Sequence, residues 1–476
     1  MLRCGGSGWG SRLDLRLAQA AFALVTLLYV FVTPPFQVHD ETNHFFKAYQ
    51  LSEGTIFNIR QDPDLGNMLP SYVGDLATKQ FTPEAVNILP VFSWTNLVQV
   101  WRAPYDPGSR QFTPFSNIAN YAPTLYIPQA LGIAVARGIG LPPLGQFYAG
   151  RLFNALFGIT LVLSAVSLIP AGRPAMLAFA TFPAFSNQIG SYSADASIIG
   201  LSFLTIAVAL QQARQRAPGR WIAGWPVLMS GLALAKGVYV PLALAGLPER
   251  PRRWYWAWLA ASLTIGVAVA AVWLKLNSGN FIRQTFVDRK TLEHVAGALP
   301  AEQLAYVLGH PMTYLHTLVT SFAERLPAYA IEAVGRFGWF TILLPIPVYA
   351  LAVLTAFMAL LAPVPSNPRP SPAQRLYWLA LLVGGVVLIE TALYLTASPL
   401  GASYIQGASG RYYLQYLPLA GLAFAVPLRP DSAGGRLVER TLVPAMILLM
   451  AAGLAVSGVS FWAGSTAFNG GIVVNG

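Results

Sequence analysis

The chain has 476 residues, 55% of them hydrophobic and only 10% charged, with a net charge of +11 at pH 7. Soluble domains carry about 25% charged residues, so this composition excludes one and describes an all-α polytopic membrane protein. Long apolar runs, in place of short alternating segments, exclude a transmembrane β-barrel, and Cys4, the one cysteine, excludes a disulfide framework.

The first apolar run, 17–33, suits one crossing, which takes about 20 residues. No small-residue cleavage site follows it, so it is expected to stay as an anchor. Directly after it comes PPFQVHDETNHFFKAYQLSEG, from Pro34 to Gly54. This block sets Asp40 and Glu41 side by side just beyond a membrane helix, with His39, His44 and Lys47 close in sequence. The stretch 34–146 is rich in Pro, Asn, Tyr and Trp and too long for a plain connector. Within it, 121–139 (YAPTLYIPQALGIAVARGI) carries two prolines and reads as an interfacial or re-entrant element.

Further spans are expected at 147–169, 174–190, 195–212, a short pair within 222–248, and 255–275. An outer segment, 276–336, contains an amphipathic stretch, His310 to Ala330, suited to lying along a membrane surface. The last spans are 337–362, 376–397, 412–428 and 441–463, which makes about 11 crossings in a single integral membrane domain.

Charge orients the chain. The loops 170–173, 212–220, 249–254, 363–375 and 429–440 hold 12 Lys/Arg and three acids, so the positive-inside rule places them in the cytoplasm. With the N-terminus, the cytoplasmic face then holds 15 Lys/Arg against four acids (Asp14, Glu249, Asp431, Glu439), and all other residues hold 15 against 15. The excess of +11 therefore sets topology and meets anionic headgroups, and nucleic acid is not expected as a partner. The N-terminus is expected inside and the C-terminus outside. All five histidines fall on the outer side, with most of the carboxylates.

Polar side chains gather at the outer ends of these spans: Arg151 opening the second, Asp195 in SYSADAS, Lys236 and Tyr239 in ALAKGVYVPL, Arg336 in GRFGWF, and Arg411 and Tyr412 in QGASGRYYLQYLP. A charge at the bilayer centre costs about 2.5–3.5 kcal/mol on insertion scales, so such residues usually face a polar cavity. Lysine and arginine there suit a phosphate. Snorkelling of Lys236 and Arg151, and helix capping by Asp195, are the plainer readings of the same residues. There is no GxxxxGK[ST], HExxH or GxSxG motif. The histidines lack a compact metal-ligand spacing, so no metal or other cofactor is expected, a divalent cation beside the two carboxylates being the remaining option.

These motifs resemble, in order, the blocks of the bacterial membrane proteins called domain of unknown function 2142. The opening block resembles PPxxxPDExxHFxRAYxLSxG, with His39 standing where that family usually has proline. The arrangement is similar to the wider GT-C class of glycosyltransferases, such as protein mannosyltransferases and lipid A aminoarabinose transferases. That resemblance implies a large first extracytoplasmic loop with juxtamembrane helices, a polyprenyl-phosphate-linked sugar as donor, and a glycan or glycolipid acceptor, all at the inner membrane. It implies Asp40 as general base and Glu41 as second choice or orienting residue. Lys236, Arg151, Arg411 and Arg336 would hold the donor phosphate, and His44, Tyr239, Asp195 and Tyr412 would contact substrate. A transporter or flippase of lipid-linked sugars, and a non-catalytic envelope-assembly protein, are the competing classes.

Overall fold

The structure, a computed structural model, describes residues 14–80, 92–215, 217, 219, 222–246, 252–278, 285–287, 294–363 and 370–463. Parts of the expected loops 212–220, 249–254 and 363–375, the end of the pair 222–248 and parts of the segment 276–336 lie outside the described residues.

Helix α1 (Arg16–Val32) stops ahead of Pro34 and Pro35. Proline lacks the N–H that a helix needs and disfavours helical geometry in the residue before it. Helix α2 (Glu41–Ser52) starts after eight intervening residues, among which Phe36 and Asp40 turn the chain with φ of 62° and 64°. A small antiparallel sheet follows, built of β1 (Ile59–Gln61), β2 (Asp64–Pro70) and β3 (Arg110–Pro114) in that order. Ile59 lies opposite Gly66, and Asn67 opposite Thr113. Between β2 and β3 lie α3 (Ser71–Asp75) and α4 (Trp94–Arg102). A 3-10 turn, Pro123–Tyr126, leads into α5 (Ile127–Gly138), which packs on α2 and α6 (Pro143–Leu168). At 12 residues α5 is too short to cross a bilayer.

The membrane body continues with α7 (Arg173–Ala180), α8 (Pro183–Ile189), α9 (Asp195–Arg214), α10 (Trp225–Ala235), the 3-10 helix Gly237–Gly246, and α11 (Arg253–Leu276). A hairpin, β4 (Thr285–Val287) and β5 (His294–Ala296), precedes α12 (Pro300–Gly309) and α13 (Pro311–Val334). A second hairpin, β6 (Arg336–Phe337) with β7 (Ile342–Leu343), leads to α14 (Ile346–Leu361) and α15 (Pro372–Ala397). The 3-10 helix Gly410–Tyr416 runs into α16 (Leu417–Phe424), and α17 (Ala433–Trp462) closes the fold.

Five helices among the described residues are long and apolar enough to cross a membrane: α6, α9, α11, α15 and α17. Shorter apolar helices include α1, Ile222–Ala235, Gly237–Gly246 and α14. Three expected spans take a different form. The run 174–190 is two helices, because Pro183 starts a new one at α8 and leaves Thr181 and Phe182 as a break. The run 337–362 begins as the β6–β7 hairpin, whose turn needs φ of 62° at Gly338 and Phe340. The run 412–428 is a 3-10 segment joined to eight residues of α-helix. Composition alone does not separate a continuous apolar helix from a broken one.

The core forms where α9 packs on α6 and α1 on α17. Phe22, Tyr29, Tyr192 and Trp225 are fully buried within it. By contrast, α11 buries only 17% of its apolar window and turns Val267, Val272 and Leu274 outward.

Candidate functional site

Asp40 and Glu41 point to opposite sides of the same loop. Glu41, in the first turn of α2, reaches into the protein, where its Oε1 accepts from Arg151 Nε at 2.8 Å and its Oε2 from Arg151 Nη2 at 2.6 Å. Tyr192 N–H donates to Oε1 as well, at 3.0 Å. Arg151 completes its set with Val30 O at 2.9 Å, Thr33 O at 2.5 Å and Pro34 O at 3.0 Å. Both side chains are 0% exposed. All five N–H groups of the guanidinium are engaged, two of them closing the last carbonyls of α1, so Arg151 has none left for a phosphate. The pair fixes the angle between α1, α2 and α6.

Asp40 faces the other way and is 23% exposed. Its left-handed backbone at the start of α2 turns the carboxylate back toward the later helices. Oδ2 takes both strong partners, His39 Nδ1 at 2.7 Å and Arg411 Nη2 at 2.8 Å. Among the described residues Oδ1 has only a long contact from Asn117 Nδ2, at 3.5 Å. Burial alone would raise the Asp40 carboxyl, but the charge and hydrogen bond of His39 and the charge of Arg411 outweigh it and hold the carboxyl well below the usual carboxylate range.

From Asp40 the charges alternate into the protein. Arg411 Nε lies 3.7 Å from Asp195 Oδ2, and Asp195 Oδ1 lies 3.9 Å from Lys236 Nζ. Four segments distant in sequence supply these groups: the loop before α2, the N-terminus of α9, the tip between α10 and its 3-10 partner, and the start of the 3-10 helix 410–416. Lys236 sits 4.1 Å from the centroid of the Tyr412 ring, a cation–π contact, and Tyr239 Oη braces Tyr412 by donating to its carbonyl at 3.0 Å. Arg411 is 8% exposed, and among the described residues its Nε and Nη1 have no hydrogen-bond partner.

His44 lies one turn along α2 from Asp40, buried, with Nδ1 2.7 Å from Tyr126 Oη. Burial is the main cause that lowers its imidazole to about 4, against the pull of Asp40 and Asp195, so the ring is neutral at pH 7. Lys47, also buried, donates to Asn58 Oδ1 at 2.8 Å and Ala119 O at 3.3 Å, and burial lowers it to about 7.

The structure thus brings Asp40, His44, Asp195, Lys236, Tyr239, Arg411 and Tyr412 into one region. It commits Glu41 and Arg151 to each other. Arg336 donates from Nε to Phe340 O at 2.6 Å and lies 3.9 Å from Glu332, a separate cluster. Sequence reasoning noted His39 beside the acidic pair but gave it no part in the site, and it missed Trp339 and Phe340; both aromatic rings stand 4.9 Å from the His39 ring. GRFGWF drew notice for its arginine, whereas its aromatics reach the site. Among the described residues no group of three His, Cys, Asp or Glu is placed to hold a metal.

Neither a curated protein nor a solved structure matches the chain. The family described as "Predicted membrane protein (DUF2142)" matches residues 22–423, nearly the whole of it. The chain therefore belongs to the DUF2142 family of predicted membrane proteins.

Proposed function

We propose that this protein is a membrane glycosyltransferase that moves a sugar from a polyprenyl-phosphate donor to an extracytoplasmic glycan or glycolipid acceptor. The proposed setting is the bacterial inner membrane, with about 11 crossings, a GT-C-like organisation and the site on the outer side. The observation that carries the reading is an unfilled cationic position beside a carboxylate. Among the described residues Arg411 Nε and Nη1 are buried without a hydrogen-bond partner; the guanidinium shares Asp195 with Lys236, and its Nη2 holds Asp40. A buried donor left unpaired costs about 1–3 kcal/mol, which a bound anion would recover.

In this mechanism Asp40 takes the acceptor hydroxyl proton at Oδ1, because Oδ2 is occupied by His39 and Arg411. The freed oxygen bonds to the anomeric carbon as the bond from that carbon to the phosphate oxygen breaks. The bonding electrons leave with the polyprenyl phosphate, whose added negative charge Arg411 and Lys236 stabilise. A carboxyl held so acidic is a weak base, so it accepts the proton late, when the leaving group has already departed far. Tyr412 and Tyr239 would position the cations, and His44 and Asp195 would contact the sugar or acceptor. Glu41 and Arg151 act as scaffold.

Transfer from a labelled polyprenyl-phosphate sugar in detergent tests this directly. Asp40→Asn and Lys236→Ala should each abolish it, a general base being worth about 10²–10⁴-fold, at normal membrane levels of protein. Near-normal turnover by Asp40→Asn removes the base assignment, and retained activity in both variants removes the site.

A further inference from the structure

We infer that Glu332 is a positioning residue that aligns both groups holding the Asp40 carboxylate, Arg411 and His39. Glu332 lies in the last turn of α13 and is 6% exposed. Its Oε2 accepts from Gly410 N–H at 2.7 Å and from Ser409 Oγ at 3.0 Å. These bonds fix the backbone one residue before Arg411, the residue whose Nη2 meets Asp40. Gly410 is needed for this approach, since a Cβ there would stand 2.2 Å from Tyr329 O and 2.7 Å from the Glu332 Cβ.

The other oxygen, Oε1, lies 3.6 Å from Arg325 Nη2 and 3.9 Å from Arg336 Nη1. Arg336 in turn donates to Phe340 O, at the turn where Phe340 takes φ of 62°. Trp339, in the same turn, donates from Nε1 to Phe36 O at 3.2 Å, and the Trp339 and Phe340 rings flank His39. One carboxylate thus anchors two arms, and both end on Asp40 Oδ2. Hydrogen bonds that a carboxylate accepts from backbone N–H groups are among the stronger kinds. Catalytic groups depend on such support, because an error of about 1 Å in placement can cost 10²-fold in rate.

The activity arm of the test rests on the proposed transfer; the spectroscopic arm does not. The chain has five histidines, so the imidazole ¹⁵N signals of the full-length protein in nanodiscs are few, and His39→Gln assigns one of them. Glu332→Gln keeps the size and an acceptor oxygen but sets an amide donor against the arginines. It should move the His39 signal by more than its linewidth and lower kcat/KM for transfer at least tenfold in the monodisperse fraction. Glu332→Asp, which keeps the charge but draws it back by one methylene, should give a smaller shift and a smaller loss. A role confined to tying α13 to the 410–416 segment would lower thermal stability and leave the His39 signal in place; an unmoved signal in both variants overturns the inference. If the wild-type protein transfers no sugar, the functional reading falls while the His39 signal still decides the role of Glu332.

Discussion

Adjacent carboxylates meet opposite fates here because of where their hydrogen bonds go. Glu41 shares a fully buried pair with Arg151, and Asp40 keeps one oxygen nearly free at a partly open position. Removing one member of a buried pair strands the other charge, at about 3–5 kcal/mol. Glu41→Gln and Arg151→Met should therefore sharply reduce folded protein and lower the thermal midpoint in detergent. Asp40→Asn, at a partly open position and still able to accept from Arg411, should lower both less than these variants do while losing transfer. An Arg151→Met protein as stable as wild type would refute the scaffold role. The sequence placed this acidic pair just beyond the first apolar run, but neighbouring residues cannot be told apart by spacing when a left-handed residue, Asp40, turns one away from the other. His44 adds a pH dependence. Its imidazole sits at about 4 when folded, against about 6.5 when free, so the unfolded chain binds the extra proton between those values. Stability from this group is complete above pH 6.5 and falls as pH drops toward 4. Lys47, held near 7, adds slope only above that pH, and Asp40 only below about 4. Melting temperatures across pH 4.5–6.5 should thus fall less steeply in His44→Gln than in the wild type, and equal slopes would remove His44 as the cause.

Helix α4 shows what an element's exposed face can mean in such a fold. Trp94, Val98 and Trp101 recur at helical spacing and are 70%, 48% and 43% exposed, while Leu97 turns inward. The Trp94 ring stacks on Trp462 at the end of α17, with centroids 4.7 Å apart, and Trp101 lies close to Gly145 at the start of α6. Its two ends therefore meet the same end of the helical body, a placement suited to lying along a membrane boundary with the apolar stripe outward. Amphipathic helices of this kind bury that stripe in the headgroup–acyl boundary. A fluorophore on Val98→Cys, in a Cys4→Ser background, should be blue-shifted in vesicles and quenched by brominated lipids. Emission typical of water would place the face in solvent. This element escaped sequence reading because nine residues with one stripe look like any surface helix. The long runs at α6, α9, α11, α15 and α17 were legible because length and hydrophobicity alone identify them. The breaks at Thr181 and at Gly338 depend on local turns, which composition does not report.

For the whole molecule, the site is a property of packing between distant segments. Arg411 meets Asp40 across 371 residues, and Glu41 meets Arg151 across 110. Sequence could gather these residues by assigning each to the outer end of a span; which cations face Asp40 and which face Glu41 depends on how α1, α6, α9 and the 410–416 segment pack. The proposed orientation, in contrast, rests on charge counts, because basic residues in short loops resist translocation whatever the helices do among themselves. The turn before α17, with Arg429, Asp431 and Arg436, belongs to the basic face, and the β3 side of the sheet, with exposed Ser109, belongs to the face that holds Asp40. Single cysteines at these two places, again without Cys4, separate the faces. A membrane-impermeant maleimide added to spheroplasts should label Ser109→Cys at once, and Asp431→Cys only after the membrane is opened. The reverse pattern would put the carboxylate in the cytoplasm and remove the extracytoplasmic acceptor, and with it the proposed reaction. Equal labelling before and after opening would show that the basic loops do not set the topology.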